Sequence, residues 1–255
     1  MGQCKDRPVG TSGEDRDPPG VVRVRAPNPS LLTLDGTNTY VVGGWVVDPG
    51  PDDSEHLDAV LRAVDGDVEG VVLTHSHFDH SDGAQPLAGR GGGVEVVLPS
   101  EGEEVGPFTA IATPGHAPDH VCLLLQTNSS DLASVPNPSR VCFTGDTVLG
   151  EGSVFIAPGE GSLSAYLGSL RRLRELDLAV LCPGHGPYVH DPRSKLDSYI
   201  SHRLDRERRL VEALEAGART EDELLDRAWS DVPAELRPAA ALTLRAHMEK
   251  LDEDA

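Results

Sequence analysis

The chain has 255 residues, with 22 basic against 42 acidic side chains and a formal net charge of −20. That balance disfavours non-specific binding to nucleic acid or to an anionic membrane, and 4% aromatic content leaves little material for a base-stacking platform. No apolar run approaches the roughly 20 residues of a membrane span, and the length suits one large domain or a core with a small appendage.

Residues 1–20 have no apolar signal-peptide stretch and are rich in Gly, Pro, Asp and Arg, the composition of a disordered tail. Met1-Gly2-Gln3-Cys4 has the look of an acylation signal, but Asp6 stands where that motif wants Ser or Thr. Val21–Val24, Thr39–Val42 and Trp45–Val47 are strand-like, and Asp48-Pro49-Gly50 closes the last of them with a turn. Ser54–Val64 has Leu57, Val60 and Leu61 on one face, which predicts a helix with Ser54 as its cap. Val68–Thr74 is a buried strand, and Val94–Leu98, Phe108–Ala112, Val121–Gln126 and Val141–Thr144 follow as strands of a second half. Between them Thr127–Ser139 is polar and rich in Pro, Asn and Ser, a flexible hairpin tip. Ser162–Glu175 repeats leucine at helical spacing, which means core packing. After Gly186 the strands stop, and three helices are expected at Lys195–Ala216, Thr220–Ala228 and Ala234–Leu251. The acidic start Thr220-Glu221-Asp222-Glu223 marks a helix N-terminus.

The chemistry concentrates in Thr74-His75-Ser76-His77-Phe78-Asp79-His80, directly after the strand Val68–Thr74. Imidazole nitrogen and carboxylate oxygen are ligands for a divalent ion of the zinc type. At a strand end His75 and His77 point the same way, and the turn after them can carry Asp79 and His80 to a neighbouring position. One loop could thus serve two metals. His116, Asp146 and His185 each follow an apolar run and a small or turn residue, so a twisted sheet can gather them at one rim. Cys182 reads as a buried strand cysteine, since the histidine and aspartate set is complete without it. Four cysteines without framework spacing point to a reducing cytoplasm.

These residues in this order resemble the metallo-β-lactamase superfamily. The resemblance implies an α/β (α+β) fold, the αββα sandwich, with a dinuclear site. His75, His77 and His116 would hold one ion, Asp79, His80 and His185 the other, and Asp146 would bridge them. Pro27-Asn28-Pro29, Asp35-Gly36-Thr37-Asn38-Thr39-Tyr40, Leu149-Gly150-Glu151-Gly152, Pro183-Gly184-His185-Gly186-Pro187 and Tyr199-Ile200-Ser201-His202-Arg203 are similar to the β-lactamase-like protein 2 group. That group carries a small C-terminal helical winged-helix-like domain, which divides this chain into a tail (1–20), a catalytic domain (21–192) and the appendage (193–255). Asp82, where many members have a small residue, and the long segment 127–139 are departures.

Carried over, the resemblance implies two zinc ions per chain, with manganese or iron accepted by the same ligands. A shared hydroxide would attack an acyl carbon or a phosphorus. Asp79 would also orient it or take its proton. Tyr199, His202 and Arg203 would face the site and hold an anionic substrate group. Asn38 serves either substrate binding or its own turn. His120 either supports a ligand or lies at the surface, and His190 is a surface or packing residue.

Three chemistries compete. Hydrolysis of a small-molecule ester or thioester suits the acidic surface. Single-stranded RNA cleavage is known in one group member and is favoured here by the basic run Arg193, Lys195, Arg203, Arg206, Arg208 and Arg209. An iron redox enzyme on the same fold is opposed by the complete second ligand set. Residues 216–255 hold ten acidic against five basic side chains, so the appendage reads as a wall beside the site rather than a nucleic-acid reader. No membrane partner is expected, and the oligomeric state is open.

Overall fold

A computed structural model describes residues 16–64, 66–126, 141–159 and 161–254. The tail up to residue 15 and the expected hairpin tip at 127–139 lie outside the described residues. Among the described residues ten strands form two five-stranded sheets. The first contains β1 (Val22–Arg25), β2 (Asn38–Val42), β3 (Trp45–Val47), β4 (Gly70–Val72) and β5 (Val96–Val97), in that order. The second runs β10 (Val180–Pro183), β9 (Val141–Gly145), β8 (Val121–Leu125), β7 (Phe108–Ala112), β6 (Glu104–Val105).

Period two explains how the sheets stack. Tyr40 and Val42 of β2 enter the core between the sheets, whereas Val41 between them faces outward beneath a helix layer. On β8 and β9, Leu123 and Phe143 turn inward to that core, and Cys122 and Cys142 turn out to the opposite helices. Sheets covered on both faces need strands apolar on both faces, which is why these segments read as continuous apolar runs.

Helices α1 (Ser54–Ala63) and α3 (Ala84–Arg90) cover the first sheet through Leu57, Val60 and Leu87. Helix α4 (Leu163–Arg174) covers the second through Leu163, Tyr166, Leu167 and Leu170. The cap of α1 is Asp53, whose carboxylate accepts from the His56 N–H at 2.8 Å, not Ser54, which already has helical geometry. Short elements such as α2 (Phe78–Ser81) and β6 have no counterpart among the expected helices and strands, since four and two residues carry almost no periodic signal.

Helix α5 (Pro192–Glu215) belongs to two cores. Leu196 and Tyr199 pack with α4, whereas Leu210 and Ala213 pack with α6 (Glu221–Ala228) and α7 (Arg237–Glu253). Thr220 and Glu223 close a reciprocal capping box at the start of α6. A 3-10 turn (Ala234–Leu236) precedes α7, whose Ala246 returns to the core of the α4 layer. Among the described residues no helix is long and apolar enough to cross a membrane.

Candidate metal centre

The candidate ligands converge at one rim of the sandwich. His75 follows β4 and is fully buried, and His77 is the N-cap of the one-turn helix α2 (Phe78–Ser81), which carries Asp79 and His80. His116 lies between β7 and β8, Asp146 directly after β9 and His185 after β10. Three groups have ligand atoms within 4.8 Å of one another: a first set of His75, His77 and His116, a second set of Asp79, His80 and His185, and Asp48 with His75 and His80, in which the Asp48 carboxylate is taken up by hydrogen bonds from Thr74 and His80.

Hydrogen bonds set which nitrogen each imidazole presents. His116 Nδ1 lies 2.9 Å from the Phe155 carbonyl and His185 Nδ1 3.4 Å from that of Gly36. Carbonyls only accept, so both Nδ1 atoms carry a proton and both Nε2 atoms face the cleft. His80 Nδ1 donates to Asp48 at 3.0 Å, which leaves its Nε2 3.3 Å from His185 Nε2. His75 Nδ1 lies 3.0 Å from Thr74 Oγ1, which itself donates to Asp48, and His75 Nε2 is buried without a partner. His77 turns Nδ1 to within 3.0 Å of His116 Nε2.

Asp146 stands between the sets. Its Oδ1 lies 3.5 Å from His80 Nε2 and 3.3 Å from His185 Nε2, outside hydrogen-bonding geometry, and its Oδ2 lies 3.6 Å from His116 Nε2. Two nitrogens on one tetrahedral zinc are roughly 3.3 Å apart, given Zn–N bonds of about 2.0–2.1 Å. Facing lone pairs at that separation, an orphaned buried His75 Nε2 and an unpartnered carboxylate oxygen suit divalent cations.

Charge follows the same division. Burial works against ionising His80, but Asp146 and Asp48 hold it well above the usual imidazole range. Burial likewise opposes His185, yet Asp146 and Asp79 push it up to about 9. His75 and His77 are lowered by burial and by neighbouring imidazoles. Asp79 and Asp146 are held below the usual carboxylate range, burial being outweighed by His185 and His80. Without metal the second set keeps protons that an ion would replace.

Two supporting residues escaped assignment from sequence. Asp48, read as part of a turn, is buried at φ 47°. Its carboxylate accepts from Thr74 N–H, Thr74 Oγ1 and His80 Nδ1. The signal was present, since Asp48 ends the apolar strand β3 as the other site acids and histidines end theirs. His120, left open between support and surface, is fully buried, and its Nε2 accepts from the Asp146 N–H at 3.1 Å. Gly145 has φ 43°, and a Cβ there would stand 2.4 Å from Thr74 Oγ1, so the chain reaches Asp146 only with glycine before it. Cys182 lies in the inter-sheet core.

Of the expected substrate contacts Asn38, Tyr199, His202 and Arg203, three are buried and held by groups of the protein itself. Asn38 is fully buried and donates to the carbonyls of Pro183 and Gly186, so it ties β2 to the loop bearing His185. Tyr199 is buried, with its hydroxyl on the main chain of Leu149. Arg203 is 2% exposed and its guanidinium is engaged by Ser153 and the Val154 carbonyl. His202 is exposed, and Arg206 Nε lies 3.4 Å from its Nε2. The resemblance implied that Tyr199, His202 and Arg203 face the site, and helical spacing by itself does not say which side of a helix the core lies on.

Comparison with known proteins bears on this centre. The Metallo-beta-lactamase superfamily profile matches residues 32–110, and that of the Beta-lactamase associated winged helix domain matches 220–255. A Beta-lactamase-like protein 2 homolog of Caenorhabditis elegans is 31% identical over 92% of this chain and 84% of that protein. The chain belongs to the metallo-β-lactamase superfamily. Within it, the chain falls in the β-lactamase-like protein 2 group, as a metal-dependent hydrolase. An Atrochrysone carboxyl ACP thioesterase of Aspergillus fumigatus is 31% identical over 86% of this chain and 76% of that protein. A metallo-beta-lactamase family protein from Thermus thermophilus shares the fold, with a TM-score of 0.72 at 22% identity, over 92% of this chain and 94% of that one. Superfamily membership implies divalent metal binding, in keeping with the two ligand sets.

Proposed function

We propose that the protein is a two-zinc hydrolase of a small-molecule ester or thioester. The observation that carries the reading is Asp146, whose two oxygens face two separate ligand sets. His75, His77 and His116 would hold one ion, and Asp79, His80 and His185 the other. Bound there, two divalent ions would lower the pKa of water and polarise the substrate oxygen.

The protein groups would do the rest. Asp79 is partly exposed and ionised at neutral pH, with Oδ2 turned to His185 at 3.3 Å. Its carboxylate is placed to accept a proton from attacking water and return it to the leaving group. Phe78, 72% exposed between His77 and Asp79, lies on the outer side of the ligand loop.

An ester or thioester is favoured on three grounds. A thioesterase stands among the relatives at 31% identity. The net charge of −20 repels a polyanion. The basic run on α5 is also largely paired, Arg206 with Asp231, Arg208 with Asp205 and Glu212, and Arg209 with Asp205 and Asp231. Arg203 is buried, and Lys195 donates to the Gly150 carbonyl. Cys122, Cys142 and Cys182 are buried free thiols, which supports the cytoplasm as the proposed location.

The test is metal analysis of the purified protein, with turnover of a thioester panel and of labelled single-stranded RNA in one preparation. About two zinc ions per chain and salt-insensitive thioester cleavage are expected, with the cleavage lost and the zinc content lowered in His77→Ala. RNA cleavage that disappears in His77→Ala would replace this reading with the nuclease, and one iron with no hydrolysis would replace it with the redox enzyme.

A further inference from the structure

Arg203 is a long cation in an unusual place. It projects from the middle of α5 and is 2% exposed. Among the described residues no carboxylate pairs with it, and its Nε is buried without a partner. Burying a charge is costly unless counter-charge or hydrogen bonds compensate it, and here hydrogen bonds alone do so. A space-filling side chain would do the packing without the desolvation.

What the guanidinium holds is the segment after β9. The chain between Asp146 and Ser162 has no helix or strand among the described residues. It is therefore positioned by contacts from outside. Arg203 donates one nitrogen to Ser153 Oγ at 2.9 Å and to the Val154 carbonyl. Val154 and Ile156 on either side are buried in the α4 core, so the peptide between them is fixed at both ends. The carbonyl of that intervening residue, Phe155, is the one that His116 Nδ1 meets at 2.9 Å. A second connection runs beside the first. The Arg203 guanidinium stacks over the Tyr166 ring at 5.4 Å. Tyr166 in turn packs on Gly115, where a Cβ would fall 2.4 Å from the Tyr166 backbone. His116 thus meets Phe155, the neighbour of the Val154 that Arg203 holds, and follows Gly115, which packs on the Tyr166 that Arg203 covers.

We infer that Arg203 is a positioning residue for the metal centre, fixing segment 153–155 so that the Phe155 carbonyl holds His116 with its Nε2 lone pair turned into the cleft. Partners of the non-ligating nitrogen set the tautomer and orientation of a metal-bound histidine, and losing one typically weakens metal binding ten- to hundredfold. The same contacts tie α5, and through it the α6–α7 unit, to the His75–His77–His116 set. The inference rests on the two-metal reading for its metal arm alone.

The test compares wild type, Arg203→Met and Arg203→Lys as full-length, zinc-loaded proteins. A chromophoric chelator competes for zinc, and nitrogen NMR reports the His116 ring. Arg203→Met should weaken one of the two zinc ions ten- to hundredfold and leave the other unchanged. The hydrogen-bonded His116 Nδ1–H resonance should be lost or shifted. Lysine keeps a donor but not the fork, so Arg203→Lys should fall between, and it decides the matter if the methionine variant does not fold. Two zinc ions with unchanged affinity and an unmoved His116 resonance in a folded variant would overturn the inference. Parallel weakening of both ions in step with the thermal midpoint would also overturn it, because that is what general destabilisation does. Failure of wild type to hold two ions would instead count against the proposed function, and the His116 resonance in Arg203→Lys would still decide the role of Arg203.

Discussion

Replacing Asp48 by Asn changes one atom at the back of the site and should cost metal affinity rather than fold. Asp48 is buried and accepts three hydrogen bonds, from Thr74 N–H at 2.8 Å, Thr74 Oγ1 at 2.7 Å and His80 Nδ1 at 3.0 Å. In Asp48→Asn the amide oxygen can keep the Thr74 N–H. The new amide NH2 then faces two donors, the Thr74 hydroxyl and His80 Nδ1–H. The hydroxyl can rotate. The imidazole can only move its proton to Nε2, which fills the lone pair that faces His185 at 3.3 Å. Loss of such a partner weakens metal binding about ten- to hundredfold, or about 1.4–2.7 kcal/mol. Zinc competition against a chromophoric chelator at neutral pH measures this, with circular dichroism to verify the fold. Only the ion of the Asp79–His80–His185 set should be affected. A folded Asp48→Asn protein that holds both ions as tightly as wild type would refute the claim that Asp48 sets the His80 tautomer.

Three further outcomes concern protons and packing, and a fourth concerns the appendage. Metal must displace protons held by His80 and His185, so zinc affinity of the metal-free protein should climb as pH rises through the neutral range, with His185 giving up its proton at about 9; calorimetry in buffers of different ionisation enthalpy counts the protons, and no proton release at pH 7 would contradict this. The raised His80 and His185 stabilise the metal-free fold below about 6.5, and the His185 contribution is lost as pH rises through about 9, whereas the lowered Asp79 and Asp146 contribute above about 3.8 and lose it in acid; thermal midpoints across pH should trace this window in metal-free protein and flatten at its alkaline side when zinc is bound. Phe143→Ala, which removes a fully buried ring set against Tyr40 at 5.2 Å and Phe108 at 5.5 Å, should destabilise by about 3–5 kcal/mol in urea unfolding. Thr220→Ala breaks the capping box of α6 and should cost about 0.5–2 kcal/mol, read as faster hydrogen exchange in α6 with zinc content unchanged.

The candidate ligand cluster was legible in the sequence because metal chemistry narrows it to a few side-chain types, and because the loops that carry it follow apolar runs. His75, His77, Asp79 and His80 are nearly adjacent, so local geometry alone brings them together. Long helices and strands apolar on both faces were legible through their periodicity, which depends on backbone geometry. Asp48, Arg203 and Asn38 were misread or passed over for the opposite reason. Asp48 meets His80 across 32 residues, Asn38 meets Pro183 across 145, and Arg203 meets Val154 across 49. Nothing local in those stretches specifies such partners. Which nitrogen each histidine presents, which arginine is buried and which carboxylate lies behind a ligand are settled only when the sheets stack, because burial removes water as an alternative partner and leaves each polar atom to the group the fold places beside it.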